Sequence, residues 1–335
     1  MAETNEAIGA PRPKAIYWVI SLALAAVFLY FSLRGIDWKS VWATLKSARL
    51  PIVAAATGMM SVTLFLRSYR WRVLLLARRQ VSVPLAFWAT SAGYLGNNVL
   101  PARAGEVIRT LMISRRSGMS KAFVLTTALS ERVVDAITLI TISAIVLLIM
   151  PVQVGWLSTA ARPFAIVGLT GAAAIALLPP FERFWFRFLQ RLPLPEKIRT
   201  PIEHILEQVL EGIRSFHDFG RLAKFLGLTA LIWFVDGLTT VVAANSIGVH
   251  IRLQVASLLI AGLGLGSALP STPGYVGIYQ FVAVNVLSPF GVRRDDAIAY
   301  ILLFQAMNYV LVLLWGLIGI AIEREPGAGQ ALEPA

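Results

Sequence analysis

Three ionisable side chains lie close together within a long apolar segment of the chain. Glu131, Arg132 and Asp135 occur in the run SERVVD at 130–135. In a helix, the i, i+4 spacing puts the two carboxylates on one face and rotates Arg132 about 100° away from Glu131. With a rise of about 1.5 Å per residue, Glu131 lies about 15 Å and Asp135 about 21 Å from Lys121. Each charge costs about 2.5–3.5 kcal/mol at the centre of a membrane helix, so we expect these groups to face partners or water.

Two interpretations of these charges stay open at the level of the sequence. They form either an internal ion-pair network that fixes helix packing, or a polar cavity for an anionic headgroup in which a carboxylate exchanges protons. A further carboxylate, Asp236, is central in the apolar segment 222–247 and lies 169 positions after Arg67, because 236 − 67 = 169. Arg67 and Arg70 share a face near the end of their segment, where snorkelling to lipid phosphate explains them as well as a site role does.

A short motif with a constant offset occurs twice, each time inside an apolar segment. Leu-Pro-x-x-x-Gly places Pro101 and Gly105 in the first copy and Pro270 and Gly274 in the second, with 270 − 101 = 169 and 274 − 105 = 169. Proline breaks the helical hydrogen-bond ladder and glycine further weakens the helix. A broken helix is tolerated at membrane depth only where the backbone is buried or lines a cavity. Paired interrupted segments indicate a transporter's binding site, although both residue types are common in membrane helices.

Polar residues surround the first copy of the motif. They are Asn97, Asn98, Arg103, Glu106 and Arg109. A guanidinium group suits phosphate, and a helix that begins near Pro101 offers free N–H groups to an anion. Alternatively, the two arginines are ordinary residues of a cytoplasmic loop, and the two asparagines cap a hairpin turn.

The second copy is also followed by polar side chains. Ser271 or Thr272 is expected to cap a helix that begins at Pro273. We take the polar groups of both copies, together with the charges of the apolar segments, as one candidate site. The candidate substrate-binding residues are Asn97, Asn98, Arg103, Glu106, Arg109, Glu131, Arg132, Asp135, Asp236, Tyr275 and Gln280.

The composition indicates a polytopic membrane protein. Apolar residues make up 57% of the 335 residues and charged residues only 14%, with a mean hydropathy of +0.71. A soluble domain carries about 25% charged residues. The net charge of +12 fits cytoplasmic loops rich in Lys and Arg rather than nucleic-acid binding. The chain has no cysteine, so neither a disulfide nor a thiolate metal site is possible.

Apolar periodicity predicts an all-α membrane protein with about six spanning helices and two re-entrant broken segments. We predict one membrane domain over 1–335, with a first repeat at 15–150 and a second at 162–322. An amphipathic cytoplasmic insertion at 181–221 is expected to lie on the membrane surface. The predicted spans are 15–33, 51–75, 120–150, 162–179, 222–247 and 297–322, the broken segments are 82–101 and 253–288, and the tails are 1–13 and 323–335.

Basic residues predict the orientation of the spans. Clusters of arginine follow spans 2 and 4 and precede span 3, which puts those loops and both termini in the cytoplasm. The basic segment 34–50 conflicts with this scheme, because it falls outside. Each half then holds three crossings, and an odd number of crossings inverts the second half, so the sequence predicts an inverted-topology repeat.

Four segments carry a resemblance to a known family. RSYRWRVLL, NNVLPARAGEVIRTLMI, SERVVDAITLI and LPSTPGYVGIYQ resemble the lysylphosphatidylglycerol synthase transmembrane-domain family of flippase-like proteins, whose stand-alone bacterial members include some associated with hopanoid biosynthesis. The resemblance covers about 15–322 and implies movement or handling of a lipid in the bacterial inner membrane. It puts eight residues on the family's motif positions: Asn98, Arg103, Gly105, Glu106, Arg109, Glu131, Arg132 and Asp135.

The resemblance is incomplete at the second motif. Family members often have a glycine where this chain has Tyr275, and an acidic residue where it has Gln280. The missing carboxylate argues against a proton-coupling role at that position. We expect no aminoacyl-transferase domain after span 6, and hence no synthesis of lysylphosphatidylglycerol by this chain.

Three functions are compatible with the sequence. The first is a flippase for an anionic, polyprenyl or hopanoid lipid. The second is a membrane-embedded lipid-modifying enzyme, with Glu131 and Asp135 as an acid–base pair. The third is a non-catalytic partner of a lipid-synthesis or glycosyltransferase complex that docks through 181–221. We expect the first, with no cofactor, metal, nucleic acid or catalytic residue, because no nucleophile–base pair is visible and the three histidines fall in loops or surface helices.

Overall fold

The structure is a computed structural model, and it describes most of the chain. The described residues are 15–100, 104–149, 166, 169–170, 173, 180–191, 195–267 and 273–324. Within these ranges the protein is helical and has no strand. Its helices are α1 (Ala15–Leu33), α2 (Trp38–Lys46), α3 (Leu50–Leu75), α4 (Val83–Val99), α5 (Gly105–Ser117), α6 (Lys121–Ile149), α7 (Glu182–Arg191), α8 (Glu196–Arg214), α9 (Phe219–Ser246), α10 (Leu253–Gly266), α11 (Ile278–Leu287) and α12 (Arg294–Arg324).

The all-α membrane class predicted from the sequence is confirmed. Helices α3, α9 and α12 are each long and apolar enough to cross a bilayer. Helices α1 and α6 coincide with two further predicted spans, while the predicted span 162–179 lies almost wholly outside the described residues. The count of six spanning helices therefore stays a prediction.

The first predicted break separates α4 from α5, which pack as an antiparallel hairpin. Helix α4 begins where the Ser82 hydroxyl accepts a hydrogen bond from the Leu85 N–H, at 3.3 Å. The two helices approach so closely that a Cβ atom on Gly105 would overlap the Gly93 carbonyl. Helix α5 ends at Gly118, whose φ of 67° is the left-handed conformation that glycine adopts freely. Glycine at these positions is what lets the hairpin close.

The second predicted break separates α10 from α11. The chain turns through Gly274, Tyr275 and Gly277, with φ values of 71°, 60° and 91°. No Cβ fits on Gly274, because the Tyr309 hydroxyl occupies its place. Helix α10 ends beside the start of α11, where Gly266 contacts the Ile278 side chain. Both broken segments are therefore helix–break–helix units, as the motif predicts.

Helices α3 and α9 pack against each other along their length and run antiparallel. At one end the Arg49 N–H donates to the Ser246 carbonyl at 2.8 Å. Towards the other end, Arg70 donates to the Thr229 hydroxyl at 3.0 Å. Trp71 and Phe225 are fully buried on this side of the protein. The pairing matters for the site because α3 and α9 each present charged residues between them.

The starts of three pairs of helices recur at or near the offset of 169 seen in the motifs. Helices α3 and α9 begin 219 − 50 = 169 positions apart, α4 and α10 begin 253 − 83 = 170 apart, and α6 and α12 begin 294 − 121 = 173 apart. The packing recurs as well: α3 packs on α4 as α9 packs on α10, and α4 packs on α12 as α10 packs on α6. Helix α8 packs on α6 as α2 packs on α12. These packing pairs in the first part of the chain thus have matching pairs in the second part.

The helices of the predicted insertion are partly held by the protein itself. Leu210 and Ile213 of α8, expected to face the membrane surface, are buried, and Gly212 contacts Thr126 of α6. Only the N-terminal part of the apolar face of α8 is exposed, at Ile205, together with Phe184 of α7. The apolar face of α8 therefore serves mainly to dock the helix on α6.

Candidate functional site

The Arg70 side chain is the centre of a buried ionic cluster. Its guanidinium donates to Glu131 Oε1 at 2.7 Å and 3.1 Å, and to both oxygens of Asp135 at 2.7 Å and 2.9 Å. A fifth hydrogen bond reaches the Thr229 hydroxyl. Only 1% of Arg70 is exposed, so it does not snorkel to lipid phosphate. As predicted, Glu131 and Asp135 lie on the same face of α6, and both accept hydrogen bonds from Arg70 of α3.

A second buried arginine joins α5 to the same cluster. Arg109 donates to Glu106 Oε2 at 2.6 Å and to Glu131 Oε2 at 3.0 Å. Its guanidinium lies 4.5 Å from the centre of the Trp71 ring. Arg109 is 2% exposed, which excludes the interpretation of Arg109 as an ordinary loop residue.

Two further ion pairs lie nearer to open space. Arg132 Nη2 and Glu106 Oε1 are 2.7 Å apart, and Arg67 Nη2 and Asp236 Oδ2 are 2.5 Å apart. Both arginines also approach Asp135 Oδ2, at 3.9 Å for Arg67 and 4.0 Å for Arg132. The exposed fractions of the Arg67 and Asp236 side chains are 14% and 20%. These pairs can therefore meet a ligand or water, whereas Arg70 and Arg109 cannot.

The whole cluster is balanced in formal charge. Four guanidinium groups match four carboxylates, which gives 4 − 4 = 0 with every group ionised. In the part of the chain that the structure describes, each of these arginines has a carboxylate partner. The groups are Arg67, Arg70, Arg109 and Arg132 with Glu106, Glu131, Asp135 and Asp236.

A cavity of about 240 Å³ lies against the two outer ion pairs. It is formed by α3, α4, α5, α6, α9, α10, α11 and α12 and by the second break, so both broken segments contribute to its wall. The candidate residues that line it are Asn97, Asn98, Glu106, Arg132, Asp236 and Tyr275. Further lining residues that were not among the candidates include Arg67, Tyr94, Trp233, Tyr279 and Asn308.

The other candidates lie behind this wall or outside the described residues. Arg109, Glu131 and Asp135 are buried in the cluster and do not line the cavity. Arg103 and the motif prolines Pro101 and Pro270 fall outside the described ranges. The motif glycines Gly105 and Gly274 sit at the breaks, where no side chain fits.

Gln280 supports the second break rather than lining the cavity. Its Oε1 accepts from the Gly277 N–H at 2.8 Å, and its Nε2 donates to Gln305 Oε1 at 2.6 Å. Gln305 in turn donates to the Gly274 carbonyl at 2.9 Å. The two amides thus satisfy backbone groups that the break takes out of the helical ladder.

The asparagines of α4 have both capping and lining roles. Asn97 Oδ1 accepts from the Gly105 N–H at 3.0 Å, as expected for a turn cap, and its Nδ2 donates to Glu106 at 3.3 Å. Asn98 Oδ1 accepts from Asn308 Nδ2 at 3.2 Å, which connects α4 to α12. Their side chains therefore hold the hairpin and present amide groups to the cavity.

Aromatic rings cover much of the remaining wall. The Tyr275 and Tyr279 rings stack with their centres 4.9 Å apart. Arg67 lies 4.8 Å from the centre of the Trp233 ring, and Arg132 lies 5.7 Å from that of Tyr94. The cationic side of each outer ion pair thus rests on an aromatic face.

Some of the missed residues leave a signal in the sequence. Arg67 is the counterpart of Asp236 under the 169 offset, a relation between the two positions that the numbering alone reveals. Tyr94 lies four residues before Asn98 and so shares its helix face. Trp233 and Tyr279 carry no such signal, because aromatic residues are frequent throughout an apolar chain. Among the described residues, no group of three or more His, Asp or Glu side chains could hold a metal ion.

The fold and the site define a class of protein: a helical membrane protein with a buried ionic cluster beside a cavity that both broken segments line. The chain belongs to the lysylphosphatidylglycerol synthase TM region family, whose model matches residues 18–316. This membership confirms the resemblance found in the sequence and supports a lipid-related role in a membrane.

Three curated relatives show how far the similarity extends. Glycosyltransferase AglD of Haloferax volcanii is 28% identical over 334 residues, which cover 88% of this chain and 52% of that protein. A UPF0104 membrane protein of Methanocaldococcus jannaschii is 22% identical and covers 66% of this chain and 91% of its own length. A UPF0104 membrane protein of Methanothermobacter thermautotrophicus is 24% identical, and the match covers 80% of this chain and 82% of that protein. This chain therefore spans about half the length of AglD but most of the two UPF0104 proteins.

Proposed function

We propose that this protein is a lipid flippase or transporter that moves an anionic or isoprenoid-type lipid across the bacterial inner membrane. The observation that carries the proposal is the position of the cavity. Its wall includes Asn97 and Asn98 from the first broken segment and Tyr275 from the second. Broken helices that meet around a polar cavity within a membrane are the arrangement that transporters use for substrate binding.

The pairing of α3 with α9 supports the inverted repeat on which alternating access depends. The two helices are counterparts under the 169 offset, and they run antiparallel. A two-fold axis that relates two antiparallel membrane-spanning helices must lie in the membrane plane. We propose that the halves 15–150 and 162–322 are related by this axis and rock about it, and that both termini are cytoplasmic.

The ionic cluster contributes a rigid polar wall to this mechanism. Hydrogen bonds of Arg70 and Arg109 to Glu131 connect α3, α5 and α6 behind the cavity wall. A headgroup in the cavity meets the outer pairs, in which Glu106 and Asp236 provide the carboxylates. We place proton exchange, if the transporter is proton-coupled, at these two carboxylates rather than at Glu131 and Asp135, because only the outer pair lines the cavity.

A second candidate function follows from the relative named as a glycosyltransferase. This chain matches about half of AglD, so it can also act as the membrane partner of a lipid-synthesis or glycosyltransferase enzyme. The exposed Phe184 and Phe188 of α7, with Phe181 just before it, would provide the docking surface. In either function we propose that the chain is not itself the enzyme.

The decisive experiment is lipid transfer in proteoliposomes with the cavity filled. Fluorescent phosphatidylglycerol, a polyprenyl phosphate and a glucosyl-diacylglycerol are followed across the bilayer for the wild type and for Ser267→Trp, whose parent side chain lines the cavity. Ser47→Trp, at an exposed position, is the matched control. We expect wild type and control to transfer at least one lipid and Ser267→Trp to lose the transfer. Transfer by neither active protein, or equal transfer by all three, would overturn the proposal.

A further inference from the structure

The cavity is poorly suited to an anionic group as its main ligand. Arg67 and Arg132 line it, but each already has a carboxylate partner within 2.7 Å. A phosphate that binds either guanidinium must displace Asp236 or Glu106 and leave that carboxylate unpaired in a membrane interior. An uncharged headgroup leaves both ion pairs intact.

The wall offers instead an aromatic platform built at the second break. Tyr275 and Tyr279 stack with an interplanar angle of 13° and both line the cavity. Tyr275 has a φ of 60°, a conformation that a residue with a side chain rarely adopts. Backbone strain of this kind persists where it serves a site, since glycine would adopt the same turn freely. The ring, rather than the turn, is therefore what this position requires.

Polar atoms without a full set of partners accompany the platform. Trp233 Nε1 is buried and has no hydrogen-bond acceptor among the described residues. Asp236 uses Oδ2 for Arg67, and its Oδ1 accepts no hydrogen bond from the described part of the chain. The Asn308 amide donates to Asn98 while its carbonyl oxygen stays available there. One donor and two acceptors around an aromatic face are the groups that bind a ring with several hydroxyls.

The size of the cavity limits what this ring can be. Its volume of about 240 Å³ lies below the roughly 300–1,000 Å³ of pockets for drug-sized ligands. It holds a small headgroup but not the chains of a lipid, which must remain in the bilayer. A single sugar ring combines this size with hydroxyl groups and apolar C–H faces.

From these observations we propose that the cavity binds a lipid with an uncharged glycosyl headgroup, the sugar ring lying on Tyr275 and hydrogen-bonded by Trp233, Asp236 and Asn308. The inference rests on the proposed function, because it concerns the same cavity, and it replaces the anionic or isoprenoid-type lipid proposed above with a lipid whose headgroup is an uncharged sugar. It makes Tyr275 a specificity-determining residue, since its ring is the platform.

Equilibrium binding to the purified protein tests the inference without measuring transport. Short-chain glucosyl-diacylglycerol and phosphatidylglycerol with the same acyl chains are titrated by calorimetry. We expect the glucosyl lipid to bind at least about tenfold more tightly, the ratio for one or two hydrogen bonds. Equal binding, or tighter binding of phosphatidylglycerol, would overturn the inference.

Two variants locate the binding. Trp233→Phe keeps an aromatic ring beside Arg67 but removes the N–H donor, so we expect about tenfold weaker glucosyl-lipid binding and unchanged phosphatidylglycerol binding. Trp42→Phe, at an exposed tryptophan, is the matched control and should bind as the wild type does. Tyr275→Gly removes the platform and relieves the strained φ, so we expect it to lose glucosyl-lipid binding while its unfolding midpoint, measured on the same sample, shows that it is folded. Unchanged glucosyl-lipid binding in both cavity variants would contradict the assignment.

The two proposals fail in different ways. Selective binding of the glucosyl lipid without any transfer in proteoliposomes would reject the flippase and keep the glycosyl site. Transfer of lipids without any preference in binding would reject the glycosyl site and keep the flippase.

Discussion

Arg67 and Asp236 are 169 positions apart in the chain, and their side chains form an ion pair with a distance of 2.5 Å. The same offset relates the two copies of the Leu-Pro-x-x-x-Gly motif. Two positions that are equivalent under a two-fold axis can touch each other only next to that axis. The pair therefore marks the point about which the two halves of the proposed repeat would be arranged, and it lines the cavity there.

Exchanging the two residues tests whether their side chains form this ion pair. Arg67→Asp alone puts two carboxylates together near Asp135 and should lower the free energy of unfolding by about 3–5 kcal/mol. The double variant Arg67→Asp/Asp236→Arg restores an ion pair at the same place, so we expect it to recover most of the loss. Recovery will be incomplete, because Arg67 also lies over the Trp233 ring. Thermal or denaturant unfolding of the purified protein measures both effects.

The outcome of the exchange has a clear alternative. If the two side chains do not contact each other, the effects of Arg67→Asp and Asp236→Arg will simply add, and the double variant will be less stable than either single variant. That result would remove the main support for a two-fold axis at the ion pair.

The helices and their breaks could be predicted from the sequence because they depend on local patterns. The predicted segment 51–75 became α3 (Leu50–Leu75), and 120–150 became α6 (Lys121–Ile149). Apolar runs, prolines and glycines act within one segment, so their effect needs no knowledge of the neighbours. The same holds for the shared face of the α6 carboxylates, which follows from helical spacing alone.

The partners of the charged residues could not be predicted in this way. The place of Arg70 near the end of α3 is compatible with snorkelling, and only the packing of α6 beside α3 puts two carboxylates within reach of it. For the same reason Glu131 and Asp135, predicted to bind substrate, lie in the cluster behind the cavity. Which charge faces a ligand depends on contacts between helices, and these are not periodic in the sequence.

The close packing of α4 against α5 leads to a prediction about stability. Gly105→Ala adds a methyl group where the Gly93 carbonyl and Asn97 already lie, so α4 and α5 must separate. We expect a loss of about 1–3 kcal/mol in the free energy of unfolding, typical of overpacking. Gly58→Ala is the matched control, since nothing lies within 4 Å of the added carbon and α3 is helical there. The control should be neutral or more stable by up to about 1 kcal/mol, and an equal loss in both variants would refute close hairpin packing.

The buried cluster predicts a large effect at Arg70. Arg70→Met leaves Asp135 with no hydrogen-bonded arginine and should cost about 3–5 kcal/mol of unfolding free energy. Arg70→Lys should recover only part of this, because an ammonium group cannot reproduce the bidentate contacts to Asp135. Unfolding of the purified variants in detergent gives the comparison.

An exposed arginine provides the reference for this measurement. Arg79→Met removes a contact of an exposed side chain with the Ser117 carbonyl and should change stability by less than about 0.5 kcal/mol. If Arg70→Met is as mild as Arg79→Met, the cluster does not hold the helices together. If it is severe, a loss of transport in Glu131→Gln or Asp135→Asn would reflect structure rather than substrate contact.

The amide of Gln280 is predicted to stabilise the second break. Gln280→Ala leaves the Gly277 N–H without its acceptor and Gln305 Oε1 without its donor. We expect the free energy of unfolding to fall by about 1–3 kcal/mol. Asn285→Ala, on the same helix α11, is the matched control because Asn285 donates to the Phe281 carbonyl one turn earlier in that helix. We expect the unfolding midpoint to fall clearly for Gln280→Ala and little for Asn285→Ala. Equal shifts would mean that the break is held by its backbone conformation and by Tyr309 packing on Gly274 rather than by the buried amide.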